Sequence, residues 1–281
     1  MKKIALGIII CITSAYSSSN IFINSGIKDY KNSKTKVDGK FYKVGVGHKY
    51  KSSKISFNHS EDKVKREHPV TKKSIDELIV EKYNLNYDYM VNKNLTLKSN
   101  YIKIIDNLAP TDQGKIFGFG ADYNLYKGIT LGSKYYKSDY KDFNVDQFDL
   151  SISKKFKIKD LKSKISIILK NIDVNGDKYK NYIFKDKDYL TTQFKLNTNY
   201  HNYIGELSVF FGKRLFSVLN DGKSVQHHAM EQEKTYSIKL GKKFKSFDMV
   251  LSHLYQKGNE LPENRNDVQQ RITAFMLKYK F

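Results

Sequence analysis

The side chains best suited to chemistry gather in one stretch, residues 215–233. It holds the adjacent pair His227 and His228, with Ser224 before them and Glu231 and Glu233 after. Imidazoles near carboxylates can ligate a metal ion, and an imidazole can serve as base for a hydroxyl nucleophile. Neighbouring histidines project in different directions, and neither a spaced ligand motif nor a triad spacing is present. No catalytic residue, metal or cofactor is therefore assigned. His48, His59, His201 and His253 fall on apolar faces or at turns, and His68 falls in a loop. The pair does offer a titratable charge: protonation of His227 and His228 near neutral pH would add charge at a loop mouth and could close it.

The second chemical resource is lysine. The formal net charge is +21, and only Arg66, Arg214, Arg265 and Arg271 are arginines. The lysines spread evenly instead of clustering, which reads as a solvated surface and not as a nucleic-acid footprint. No nucleic-acid partner is expected. Many lysines alternate with apolar residues. At the C-terminus Phe275, Leu277, Tyr279 and Phe281 share one parity, while Lys278 and Lys280 share the other. In a strand, successive side chains point to opposite faces, so these lysines share a face only if strands position them.

The period of two runs along the whole chain after residue 20. Tyr42, Val44 and Val46 oppose Lys43, Gly45 and Gly47, and Tyr83, Leu85, Tyr87 and Tyr89 oppose Lys82, Asn84, Asn86 and Asp88. The pattern predicts strands over 21–30, 40–50, 52–60, 78–90, 94–106, 115–126, 128–138, 145–156, 161–173, 188–200, 203–214, 234–245, 247–257 and 268–281, about fourteen in all. Ser74 to Glu77 has the spacing of a capping box and predicts a one-turn helix in a loop. The connections alternate. Short ones fall near 50–53, 91–94, 126–128, 157–160, 201–202 and 245–246. Long ones fall at 31–39, 61–77, 107–114, 139–144, 174–187, 215–233 and 258–267.

Beside nearly every short turn stands an aromatic with the parity of its strand's apolar face: Tyr50, Tyr89, Tyr123, Phe156, Tyr200, Tyr203, Phe244, Phe247 and, last, Phe281, with Tyr279 before it. Tyr and Phe, 21 and 17 in number, must build such belts, because the chain has no Trp. At the other end, Lys2 and Lys3 precede a short apolar run from Ala5 to Ile12, then Ala15-Tyr16-Ser17. This has the form of a signal peptide, with cleavage expected after Ser17. Cleavage there would remove Cys11, the single cysteine. Residues 1–17 are thus expected to be a leader and 18–281 a single barrel domain.

With its two-faced strands and its Phe275-x-Leu277-x-Tyr279-x-Phe281 ending, the chain resembles Gram-negative outer-membrane β-barrel proteins of the porin kind. The resemblance implies an all-β, antiparallel up-and-down transmembrane barrel of about fourteen strands, with short periplasmic turns and longer extracellular loops. It implies as partners outer-membrane lipid, lipopolysaccharide and the barrel assembly machinery, which would read the C-terminal aromatic signature. The polar parity would line the lumen: Lys43, Lys82, Lys98, Lys134, Lys155, Lys164, Lys195, Lys239, Lys243 and Lys278, with Asp88, Asp149, Glu206 and Asp248. A pore for passive diffusion of small hydrophilic solutes, with modest anion preference, is the expected function. The alternatives are an outer-membrane enzyme of phospholipase or protease type, and a closed structural or adhesin barrel acting through its loops.

Overall fold

A computed structural model describes residues 17–176, 178–179, 182–184, 186–261 and 265–281. All of the expected leader except Ser17 lies outside them. Fourteen strands form one closed antiparallel barrel. In chain order they are β1 (Ser17–Lys31), β2 (Lys36–Tyr50), β3 (Ser53–Glu67), β4 (Ser74–Met90), β5 (Leu95–Asp106), β6 (Lys115–Asn124) and β7 (Ile129–Asp139). They continue as β8 (Asn144–Ile158), β9 (Leu161–Asn175), β10 (Asp188–Tyr200), β11 (Tyr203–Arg214), β12 (Met230–Lys243), β13 (Phe247–Glu260) and β14 (Arg265–Lys280). Each strand pairs with its sequence neighbours, and β1 pairs with β14 in the register Ile21↔Tyr279. The last residue takes part in closure: the Phe281 amide donates to the Ser19 carbonyl at 3.0 Å, and the Ser19 amide donates back at 2.9 Å. Closure removes every sheet edge, the condition for a sheet to stand in lipid, where water cannot satisfy free backbone groups.

The outer face is greasy over a wide band. Ile23, Phe57, Leu85, Phe119, Leu131, Leu150, Ile167, Phe194, Leu207, Ile238, Leu251 and Phe275 all stand exposed on it. In water such a surface would be an aggregation liability, and in a bilayer it is solvated. At the short-turn end the expected aromatics point outward. The Phe244 and Phe247 rings stack at 4.4 Å, and Tyr279 stacks on Phe281 at 6.0 Å. Tyr200 pairs with Tyr203 across their turn, and Phe247 with Tyr279. Tyr50 and Tyr89 both border Ser53, while Phe156 borders Ser163 and Tyr123 borders Leu131.

Toward the long-loop end the strands outrun their expected bounds. The loop anticipated at 61–77 shrinks to 68–73, that at 31–39 to 32–35 and that at 139–144 to 140–143. Ser74 opens β4, opposite Glu67, instead of starting a helix. The physical reason is an inversion of sidedness. Here the outward parity turns polar, with Asp29, Lys40, Glu61, Lys63, Lys103, Lys137, Asp146, Lys257 and Arg271. The inward parity turns apolar, with Val64, Val80, Ile102, Ile104, Ile116, Ile172 and Val174 buried to 1% exposure or less. Above the greasy band the barrel is built like a water-soluble protein, and its strands continue because they cover a core.

The two zones make a test. Leu150→Arg, on the lipid-facing parity of β8, is expected to destabilise the barrel by about 2–4 kcal/mol. Ser151→Ala, one residue on and facing inward, is expected to change stability by less than about 0.5 kcal/mol. Urea titration in lipid vesicles, followed by heat-modifiable gel migration, measures both. Equal costs would contradict the assignment of faces.

Candidate functional site

The interior is crossed by the connection between β11 and β12, residues 215–229. A bulge in β11 launches it, with register lost between Phe211 and Arg214. Gly212 sits there with φ +91°, and a Cβ on it would lie 2.4 Å from the Leu190 carbonyl oxygen. Only glycine fits that bend. The chain then turns into the barrel through Phe216, a bulky residue with φ 51°. Leu215, Phe216, Ser217 and Val218 are buried to 1% exposure or less. Phe216 packs on Phe143 with ring centroids 4.7 Å apart, on Tyr140 at 5.9 Å and on Phe184 at 6.4 Å. Together with the inward apolar rings of the strands, these residues form the core of the long-loop half.

Beyond this core the segment makes a small hairpin. Val218 pairs with Val225 and Leu219 with Ser224. Its tip, Asn220-Asp221-Gly222-Lys223, closes with the Lys223 amide donating to the Asn220 carbonyl at 3.3 Å. Asp221 and Gly222 both have positive φ, as a type I′ turn requires. Wall residues hold the hairpin from several sides. Gln147 of β8 donates to the Val218 carbonyl at 2.8 Å and accepts from the Val218 amide at 2.8 Å. Lys170 of β9 donates to the same carbonyl at 3.3 Å. Asn84 of β4 donates to the Gly222 carbonyl, and Lys43 of β2 to the Lys223 carbonyl at 3.1 Å. Asp221 forms ion pairs with Lys134 of β7 and with Lys98 of β5, the latter at 3.5 Å. The segment therefore spans the lumen from wall to wall.

The lysines and acids on the inward parity of the strands fall into two groups. One group is neutralised. Asp62, which the sequence reading passed over, bridges Lys28 and Lys82. Asp149 meets Lys170. Glu206 bridges Lys195 at 3.0 Å and Lys239 at 2.7 Å. Asp88 meets Lys54 at 3.6 Å, Asp122 meets Lys98, and Asp248 meets Lys280. The other group, Lys43, Lys155, Lys164, Lys243 and Lys278, makes no ion pair with a described residue; Lys243 instead donates to Asn199 at 2.6 Å. Paired buried charges contribute little field, whereas unpaired ones set the local potential.

Sequence reading placed His227 and His228 at an exposed mouth. Both lie inside the barrel instead, with rings 4.1 Å apart. Lys82 Nζ stands 3.3 Å from His227 Nδ1, and Asp62 lies 3.9 Å from His227 Nε2. His228 approaches the Tyr30 hydroxyl at 3.5 Å. Glu231 turns away to Lys213 at 2.9 Å, and Glu233 to Asn259 at 3.1 Å, so the four do not converge. Two hydroxyl–imidazole contacts occur on the outer face, Ser19–His48 at 2.8 Å and Thr273–His253 at 2.9 Å. Neither ring forms an ion pair with a carboxylate among the described residues, so a base-and-orienter arrangement is not assembled.

The inserted segment itself was missed, as were Asp62, Asp221, Gln147 and the apolar inner rings. A signal for the rings was present: Ile104-Ile105, Ile167-Ile168-Leu169 and Val209-Phe210-Phe211 are apolar on both parities, which a strand wet on one side does not need.

Burial holds both imidazoles neutral well below the ordinary histidine range; the Lys82 charge adds to this at His227, and His227 adds to it at His228. Lys28 also opposes a charge on either ring, Lys36 opposes one on His228, and Asp62 favours it on both. A withdrawn, solvated segment would titrate near about 6.5. The inserted arrangement thus keeps its full stability above that pH. It loses up to about 1.4 kcal/mol per pH unit per histidine below it. Hydrogen exchange of amides 217–226, corrected for intrinsic rate, is expected to quicken from pH 7.5 to pH 5, and to respond less in a His227→Gln/His228→Gln variant. A flat profile in the natural chain would contradict this.

No protein-family model and no curated protein matches the sequence. Among solved structures the barrel is similar to the Pseudomonas putida toluene transporter TodX, with a TM-score of 0.57 at 8% identity over 95% of this chain and 90% of that one. It is similar to a bacterial polysaccharide outer membrane secretin, with 0.57 at 10% identity over 94% and 98%. A TodX deltaS2 mutant, a monoaromatic hydrocarbon channel, gives 0.56 at 10% identity over 95% and 90%. At such identities the likeness is one of fold. The chain has the fold of porin-like outer-membrane β-barrel proteins.

Proposed function

We propose that this chain is an outer-membrane pore for passive diffusion of small hydrophilic solutes, with modest anion preference, occluded at rest by residues 215–229. The observation that carries this reading is how the segment is held. It crosses a lumen walled by polar side chains and, at the tip, is tied by single hydrogen bonds and ion pairs, not by a continuous sheet. Ties of that kind exchange with water one at a time. The fold shared with transporters and secretion channels supports transport over catalysis. The unpaired Lys43, Lys155, Lys164, Lys243 and Lys278 support anion preference, since rings of cationic side chains favour anions in pores. In this reading lipid and lipopolysaccharide contact the greasy band, and the assembly machinery reads Tyr279 and Phe281.

The same packed segment favours one second reading, a closed barrel that acts through its loops. Planar-bilayer recording separates the two. Deleting 217–226 is expected to raise conductance several-fold over the full chain, with a reversal potential in a potassium chloride gradient displaced toward chloride. Cation preference would refute the charge argument. A deletion variant that folds but carries no current would select the closed barrel.

A further inference from the structure

The tip of the inserted hairpin places a carboxylate where an anionic solute would have to bind. Lys98 and Lys134 project from β5 and β7 toward one point of the lumen, and Asp221 fills that point, meeting both ammonium groups. Lys223 and Asn86 border the same space, whose free volume is 30 Å³, room for about one water. Asn100 Nδ2 is buried beside it without a hydrogen-bond partner, a spare donor against the tip at Gly222. Lys98 also meets Asp122, and Asp88 lines the same space, so Lys134 is the cation whose ion pair among the described residues is to Asp221 alone. Two ammonium groups and an unsatisfied N–H lining one space can hold an oxyanion.

We propose that Lys98, Lys134 and Asn100 form a binding site for a small solute bearing a carboxylate or phosphate, and that Asp221 is its tethered competitor. A solute that takes the two lysines leaves Asp221 without its ion pairs and releases the hairpin, so binding and opening are one event. The inserted backbone is poised for this. Phe216, Asn220 and Asp221 all hold left-handed conformations, which Asn and Asp tolerate and a bulky Phe does not. The contacts of the segment must therefore outweigh that strain. Lys134 and Lys98 are the contacts that a soluble anion can take over. The inference rests on the pore reading for its purpose, and its test is independent of current.

Val225, on the returning strand of the hairpin just past its tip, is buried at 6% exposure, so a Val225→Cys variant of the full chain reports release of the hairpin through its rate of modification by a soluble maleimide. The reaction is run at fixed pH in potassium chloride, inorganic phosphate or succinate of matched ionic strength. Phosphate or succinate is expected to accelerate labelling by about tenfold or more over chloride, the worth of one charged hydrogen bond. Adding Asp221→Asn is expected to give the fast rate in chloride with little further response. Lys98→Gln/Lys134→Gln is expected to do the same. Heat-modifiable migration confirms that each variant is folded. A response to only one of the two anions narrows the class and still supports the site. Equal rates in all three salts, with Asp221→Asn no faster than its parent, would overturn the proposal. Labelling as expected in a barrel that passes no current even after deletion of 217–226 would instead leave the site standing and remove the pore reading.

Discussion

Everything in this molecule follows from the need of backbone N–H and C=O groups for partners where water is absent. A sheet in lipid can meet that need only by closing, and the Ser19–Phe281 pairing is the seam. Closure sorts each strand's two faces into an outside and an inside. What each side must be then depends on depth. Within the greasy band the outside is solvated by acyl chains and the inside carries lysines, acids and amides. Beyond the band the outside meets water, the inside can be dry, and Val64, Val80, Ile102, Ile104 and Ile172 make a core of the ordinary kind.

The inserted segment belongs to both zones. Its root, Leu215 to Val218, completes the dry core with Phe143, Tyr140 and Phe184. Its tip, Asn220 to Lys223, hangs in the polar zone and is held by lysines and amides. The root is fixed by many dispersive contacts that nothing soluble and charged can compete for, while the tip is fixed by few, polar, exchangeable ones. A segment anchored firmly at one end and weakly at the other is suited to partial withdrawal without loss of the barrel. The buried histidine pair sits near the root beside Lys82 and Asp62, where burial makes its charging unfavourable.

The lysine excess shows how far sequence arithmetic misleads about a field. Most of the inward lysines meet an acid across a strand or on the inserted tip, and those pairs largely cancel. The residue of charge that matters is the handful left unpaired, and pairing depends on register: Lys195 and Lys239 share Glu206 because β10, β11 and β12 set the three side by side.

The barrel itself was legible in the sequence. Side-chain sidedness has a strict period of two, so Phe275, Leu277 and Tyr279 declared their outer face and Lys278 its inner one without any neighbour. The aromatic residues by the short turns and the pairing of successive strands followed from the same local rule. The strand ends toward the long loops were not legible, because whether a polar outward residue such as Glu61 is loop or strand depends on whether a core lies behind it. Nor was the inserted segment. Where residues 215–229 go is decided by a bulge and one glycine meeting the Leu190 carbonyl, and by partners more than a hundred residues away, Asn84, Lys98 and Lys43 among them. Those contacts are long-range and carry no periodic trace. Alternation told which way each side chain points; only the closed tertiary structure decided what it meets there.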